Sequence, residues 1–244
     1  MIKFISVKSI LIILLCGLCI SCSDRKTREE LFYEKVLCSV KSFENVALKK
    51  QLKMHIDILK KTNKVIFLLS HDLDLLKYVI DCGGKYDIYD DSGLSLLHHA
   101  VINDDSSIVE YLLSLGISPN VRTTAGLKKY SQRNTPLMIA ASFNSFESMS
   151  ILLKYGADLS LKNAEGDSIS HFLIKGYSSL DINPKIHKNN LIKLIKTGML
   201  INSYNNCNMT LLDYVIQKNI IPEENYNDIL SMLLSCGAKR YADL

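Results

Sequence analysis

Six histidines, seven cysteines and a scatter of carboxylates are the groups in this 244-residue chain that could bind metal or move a proton. Imidazole comes first, because it ligates metals and titrates near neutral pH. His98 and His171 fall in the same column of a repeat set out below, but Met138 and Asp213 fill that column in other copies, so no ligand set forms. His55, His71, His99 and His187 show no metal-site spacing. Asp72, Asp74, Asp90, Asp91, Asp104 and Asp105 read as helix-start caps and solvated charge. A calcium loop would need regularly spaced oxygen ligands, which Asp-Asp pairs do not supply. No glycine-rich phosphate loop, Ser/His/Asp order or paired-carboxylate signature is present. Tyr177, Asp181 and His187 are the only titratable groups close together in a candidate site, within the stretch 176–188. The expectation is therefore no catalytic residue, no metal and no cofactor.

What positions these groups is a repeated unit. Gly83, Gly116, Gly156, Gly198 and Gly237 each follow a run with paired apolar residues at helical spacing, such as Ile108 to Leu115 before Gly116. The steps between them are 33, 40, 42 and 39 residues. A glycine there reads as a helix C-cap, since the left-handed conformation costs other residues about 1–2 kcal/mol. Ahead of each such helix lies a second element. Ser95-Leu96-Leu97-His98-His99-Ala100 aligns with Thr135-Pro136-Leu137-Met138-Ile139-Ala140, then with the stretches opening at Ser168 and Thr210. Thr62 to Phe67 is a worn first copy. The Ser or Thr is a helix N-cap, and Pro136 sits at the first helical position, where no hydrogen bond is lost.

The period, the Thr-Pro-Leu-His-like opening and Gly156-Ala157-Asp158 after the second helix resemble the ankyrin repeat. The resemblance covers about residues 62 to 244 and implies an all-α ankyrin-repeat solenoid of stacked helix-turn-helix units with short hairpin loops. Five repeats are expected, at 62–94, 95–127, 135–167, 168–209 and 210–244. The histidine column is the one in which the family places a side chain that hydrogen-bonds neighbouring loops. Repeats of this kind bind other proteins, and the expected partner is another protein of unspecified identity.

Residues 1–21 read as a signal peptide. Lys3 and Lys8 precede the apolar run Ile10 to Ile20, which is shorter than the roughly 20 residues a membrane span needs. Ser21, Cys22 and the polar Ser23-Asp24-Arg25-Lys26 resemble a bacterial lipoprotein signal, with Cys22 the lipid attachment site. The leucine usual three residues before that cysteine is Cys19 here, with Leu18 one further back. The implied localisation is export to the cell envelope, lipid-anchored, on the periplasmic side or the cell surface. Residues 22–61 read as a tether and N-terminal capping helices. The formal charge of +4 includes Lys3 and Lys8, so the mature chain is nearer +2. No basic stripe appears, so no nucleic acid is expected.

With Cys22 acylated, four cysteines remain, Cys38, Cys82, Cys207 and Cys236. Cys82 and Cys236 share a column four repeats apart, on the order of 40 Å at about 10 Å per packed helix. A disulfide requires Cα atoms within about 7 Å, so both read as small apolar packing residues. Cys38, in the cap, could approach Cys82.

Two insertions interrupt the register. One adds seven residues around Leu127 to Asn134, a polar, cationic stretch expected to project into solvent. The other adds nine between the helices of the fourth copy, within Gly176 to Lys188, with Gly176 and Pro184 as breakers. A shorter one surrounds Pro222, at 219–224. Asn120 and Asn202, four residues past their capping glycines, are expected to close the turn as the resemblance implies. Two further on, the columns hold Tyr89, Arg122, Lys162 and Tyr204, a row of aromatic and cationic groups at the hairpin tips. Lys128, Lys129, Tyr130 and Arg133 extend it as partner-binding candidates. The leading reading is a membrane-anchored exported protein that binds another protein. The alternatives are a plain secreted or periplasmic regulator of a fixed partner enzyme, and, least favoured, an enzyme sited at 176–188.

Overall fold

The computed structural model describes residues 66–67, 71–124, 133–177, 184–218, 221 and 223–244, with backbone alone at 175–177, 184–187, 190, 218 and 223–225. The signal peptide, Cys22, the tether, and the loop residues Lys128, Lys129 and Tyr130 lie outside the described residues. So does Asp181, and the side chains of Tyr177 and His187. The chain divides into two compact units, 1–90 and 91–244.

In the first unit, α1 (Leu73–Asp81) buries Leu75, Leu76 and Val79. Asp72 caps it, its carboxylate accepting from Leu75 N–H at 3.0 Å. The second unit holds four helical hairpins: α2 (Leu96–Ile102) with α3 (Ser106–Ser114), α4 (Pro136–Phe143) with α5 (Phe146–Lys154), α6 (Ile169–Tyr177) with α7 (Pro184–Lys196), and α8 (Leu211–Lys218) with α9 (Glu223–Ser235). The first helices stack in series, α2 on α4, α4 on α6 and α6 on α8, and α3 packs on α5. The core of the unit lies in that stack. In α4 every residue from Pro136 to Ala141 is buried, since α4 has a neighbour on each side.

Each first helix opens on a reciprocal cap in which the third helical residue answers the N-cap. Ser95 N–H donates to His98 Nδ1 at 3.1 Å, and Thr135 N–H to the Met138 sulfur at 3.5 Å. Ser168 N–H donates to His171 Nδ1 at 3.1 Å, and Thr210 N–H to Asp213 Oδ2 at 3.1 Å. Imidazole nitrogen, thioether and carboxylate all accept, which is why one column tolerates His, Met and Asp.

The five repeated glycines all have positive φ, from 83° to 102°. Each lies one residue beyond the C-cap rather than at it. Gly156 N–H donates to Leu153 O at 3.1 Å and Ala157 N–H to Leu152 O at 2.9 Å, the paired bonds that close a helix around a left-handed residue. Cys82 is itself the C-cap of α1, and Cys236 holds the equivalent place after α9. Both are free and half-buried, so they cap helix ends rather than fill the core as expected.

The insertions are placed differently from the sequence reading. Gly176 lies inside α6 and Lys188 inside α7. Pro184 starts α7, where proline's missing N–H is no loss. Part of the nine-residue insertion thus lengthens the second helix, which has 13 residues against 9 in α3 and α5. The helix α9, also of 13 residues, begins at Glu223 within the third insertion. Lys188 and Asp228 on these two long helices pair at 2.5 Å. Asn134, expected in a solvated loop, is buried.

Asp105 caps its own helix, α3. Asp104, in left-handed conformation (φ 51°), reaches the next hairpin. Its Oδ1 accepts from Ser148 N–H at 3.0 Å and from the Ser148 hydroxyl at 2.6 Å. The N-cap residue of α5, Ser145, makes no side-chain cap bond, so Asp104 supplies that cap from the preceding copy.

Candidate partner-binding site

The hairpin tips of the second unit carry the predicted row. Arg122 Nη1 donates to the carbonyls of Arg133 and Lys162, each at 2.9 Å. Lys162 Nζ donates to the carbonyl of Tyr204 at 2.6 Å and lies 4.9 Å from the centre of its ring. Tyr204 in turn meets Tyr241 edge to face, with ring centroids 5.1 Å apart. Arg122, Lys162 and Tyr204 are therefore adjacent and held in one line, each cation on the backbone of the next tip. Tyr89 belongs to the first unit, where it is half-buried. Burial and the Asp87 carboxylate raise its phenol above the ordinary value.

Arg133 plays a different part from the one its type suggests. With φ 57° it takes the left-handed place in its tip turn, as do Gly93 (79°), Gly166 (78°) and Asn208 (57°) in the other copies. Its exposed side chain sits at the tip, and its carbonyl receives Arg122.

Beneath the row runs a buried polar ladder that sequence reasoning missed. Asn163 Nδ2 donates to Asn134 Oδ1 at 3.0 Å, and Asn205 Nδ2 to Asp167 Oδ1 at 2.8 Å. Asn163 and Asn205 also close their own tips. Asn163 Oδ1 accepts from Glu165 and Asp167 N–H, both at 2.9 Å, and Asn205 Oδ1 from Cys207 and Met209 N–H at 3.0 and 3.1 Å. Thr123 holds the same column in the preceding copy, its hydroxyl accepting from Asn134 N–H at 2.9 Å. The available signal was positional: these residues directly follow Arg122, Lys162 and Tyr204.

Asn120 and Asn202 each bond the turn of the following copy. Asn120 Oδ1 accepts from Asp158 N–H at 2.9 Å while its Nδ2 donates to Gly156 O at 3.4 Å. Asn202 does the same to Lys239 and Gly237, at 2.7 and 3.0 Å. A primary amide presents one acceptor and two donors, so it can pair with a neighbouring backbone segment as a strand would. In the intervening copy Ser160 holds that place and bonds Asp158, keeping its carboxyl below the usual range.

His171 completes the contact between tip and helix. Its Nδ1 accepts from Ser168, which fixes the proton on Nε2, and Nε2–H donates to Met209 O at 2.9 Å. It is fully buried and meets Tyr214 edge to face. This is the loop-bridging part that the resemblance implied. Among the described residues no group of three or more His, Cys, Asp or Glu could hold a metal ion. Among them, too, no helix is long and apolar enough to cross a membrane.

Residues 65–163 match the family model described as ankyrin repeats, in three copies. The chain is 28% identical over 154 residues to an ankyrin repeat protein of Acanthamoeba polyphaga mimivirus, covering 59% of this chain and 20% of that one. It is 32% identical over 89 residues to a Saccharomyces uvarum protein named as a palmitoyltransferase, covering 36% of this chain and 12% of that one. The chain thus spans about a fifth and an eighth of the length of these relatives. The fold is an all-α ankyrin-repeat solenoid.

Proposed function

We propose that this chain is a binding module that engages another protein along its hairpin tips, at Arg122, Lys162 and Tyr204, with Tyr241 continuing the row. The observation that carries this reading is the line of mutual contacts from Arg122 to Tyr241. Aromatic and guanidinium groups concentrate binding energy at interfaces, and groups already fixed in place lose little freedom on docking. Lys162, Tyr204 and Tyr241 remain exposed enough to meet a partner. The surface suits an acidic or mixed partner face. The test replaces Tyr89, Arg122, Lys162 and Tyr204 by alanine together, with helical circular dichroism unchanged, followed by a crosslinked pull-down from the cell envelope. Loss of the principal captured protein is expected. Undiminished capture would move the site to the first helices or to the loop at 176–188.

The same reading includes export and lipid anchoring, supported by Lys3, Lys8, the apolar run to Ile20, and Cys22 followed by polar residues. A single acyl chain anchors weakly, and several together anchor stably. Cys22→Ser is expected to release the mature chain from the membrane fraction and abolish palmitate labelling. A mature variant chain that still partitions with the membrane, or a parent that never labels, refutes the anchor.

A further inference from the structure

The second helices of the unit are unevenly packed. α3 and α5 close on each other, joined by Lys154 and Glu110 at 3.0 Å and by Asp104 at Ser148. Among the described residues α5 makes only slight contact with α7. Between them runs an open cleft lined by Phe146, Met149, Ser150 and Leu153 of α5 and by Lys193, Leu194 and Thr197 of α7. The four α5 residues are spaced as one helix face. The matching face of α3 is covered, with Val109 at 0% and Leu113 at 4% exposure, whereas Leu153 is half-buried. The separation coincides with the copy whose helices are joined by the longest insertion. Met149 and Leu194, each 3% exposed, form an apolar floor.

The rim is cationic. α7 carries Lys185, Lys188, Lys193 and Lys196 and no acid. Lys188 is paired with Asp228, while Lys193 and Lys196 are exposed. α5 adds Glu147 in its first turn and Lys154, which is engaged with Glu110. We propose that this cleft is a second docking surface, separate from the tips, for an acidic amphipathic segment of a partner protein. One Leu- or Phe-sized side chain enters between Phe146 and Leu194, and flanking carboxylates meet Lys193 and Lys196. An apolar anchor on a helix face with charges at its border is the usual way a groove between helices takes a peptide. An apolar floor recessed between two helices favours a protein protrusion over a flat lipid surface.

The test selects a displayed library of random 12-residue peptides on the full chain. Enriched sequences are expected to place Leu, Phe, Ile or Met within four residues of two or more Asp or Glu. One such peptide, labelled and titrated by fluorescence anisotropy, is expected to bind at least tenfold more weakly to Lys193→Glu and to Ser150→Trp. Ser150 lines the cleft and its hydroxyl bonds only Phe146 O, so tryptophan fills the cleft without disturbing a tertiary bond. Binding to Tyr204→Ala is expected to be unchanged, which separates this surface from the tips. Neutral or basic enriched sequences, absence of enrichment, or binding indifferent to both cleft variants overturns the proposal. Binding to phosphatidylglycerol vesicles that Lys193→Glu abolishes and Ser150→Trp leaves intact also overturns it, in favour of a membrane surface.

Discussion

Gly156 and Gly166 make a matched pair for separating backbone strain from contact between neighbouring tips. Both are left-handed, with φ 85° and 78°. A Cβ on Gly156 would meet nothing within 4 Å, so Gly156→Ala bears only the conformational penalty of about 1–2 kcal/mol. A Cβ on Gly166 would lie 2.5 Å from Asn206 Oδ1 and 2.8 Å from Asn206 N. The second is backbone, and its N–H donates to Glu165 O at 2.9 Å, so it cannot swing away as a side chain can. Forcing that segment aside adds about 1–3 kcal/mol, as overpacking does. Gly166→Ala should therefore destabilise by about 2–5 kcal/mol in total. Urea denaturation with a shared m-value reads both numbers from the midpoints. If the two substitutions shift the midpoint equally, the approach of the neighbouring tip contributes nothing and the reasoning is wrong.

Asp104→Ala removes the cap of α5 and strands the buried Ser148 hydroxyl, for an expected loss of about 1–3 kcal/mol by thermal melting; Asp104→Asn, which keeps an acceptor and tolerates positive φ, should lose less. His171→Leu leaves Ser168 N–H unpaired and takes one of two donors from Met209 O, which keeps Asn205 N–H, with an expected loss of about 1–3 kcal/mol in the same assay. Burial alone would raise the Asp213 carboxyl, but the Tyr241 and Thr210 amides, the Arg240 guanidinium and the Thr210 hydroxyl outweigh it and hold it below its usual value. Its stabilising effect is then full above the unfolded carboxylate pKa, about 3.9, and lost as pH falls through the lower folded value. Denaturation midpoints taken downward from pH 5 should fall more steeply for the parent than for Asp213→Asn; parallel curves would refute this.

The local half of the architecture was legible in the residues. Ser95, Thr135 and the glycines act on their own helix ends, so type and spacing suffice to read them. The row at Arg122, Lys162 and Tyr204 could be counted from the capping glycines because stacked copies share a register. What the side chains do there could not be counted. A surface arginine and one that bonds the next tip's carbonyl look alike in sequence, and so do a solvated loop asparagine and Asn163, which is buried on Asn134. Asp104 and Asp105 are adjacent carboxylates before a helix, yet one caps that helix and the other its neighbour. Gly176 and Pro184 lie in the last turn of α6 and at the first position of α7, so they mark the ends of the two helices to within a residue or two.

The bonds between copies mostly point the same way along the chain. Arg122, Lys162, Asn120, Asn202 and Asp104 each extend a side chain forward onto backbone of the following copy, while Asn206 Nδ2 reaches back to Ala164 O at 3.1 Å. During synthesis each copy therefore emerges with its donors and acceptors set before the backbone they fit has left the ribosome. For those forward bonds the newest copy supplies only peptide groups, which are common to every sequence, whereas the ladder also calls on its Asn163 or Asn205 side chain. Assembly acquires a direction, with the older copy serving as the template for the younger. Exchanging copies between such arrays should then depend more on the residues of the preceding unit than on those of the unit inserted.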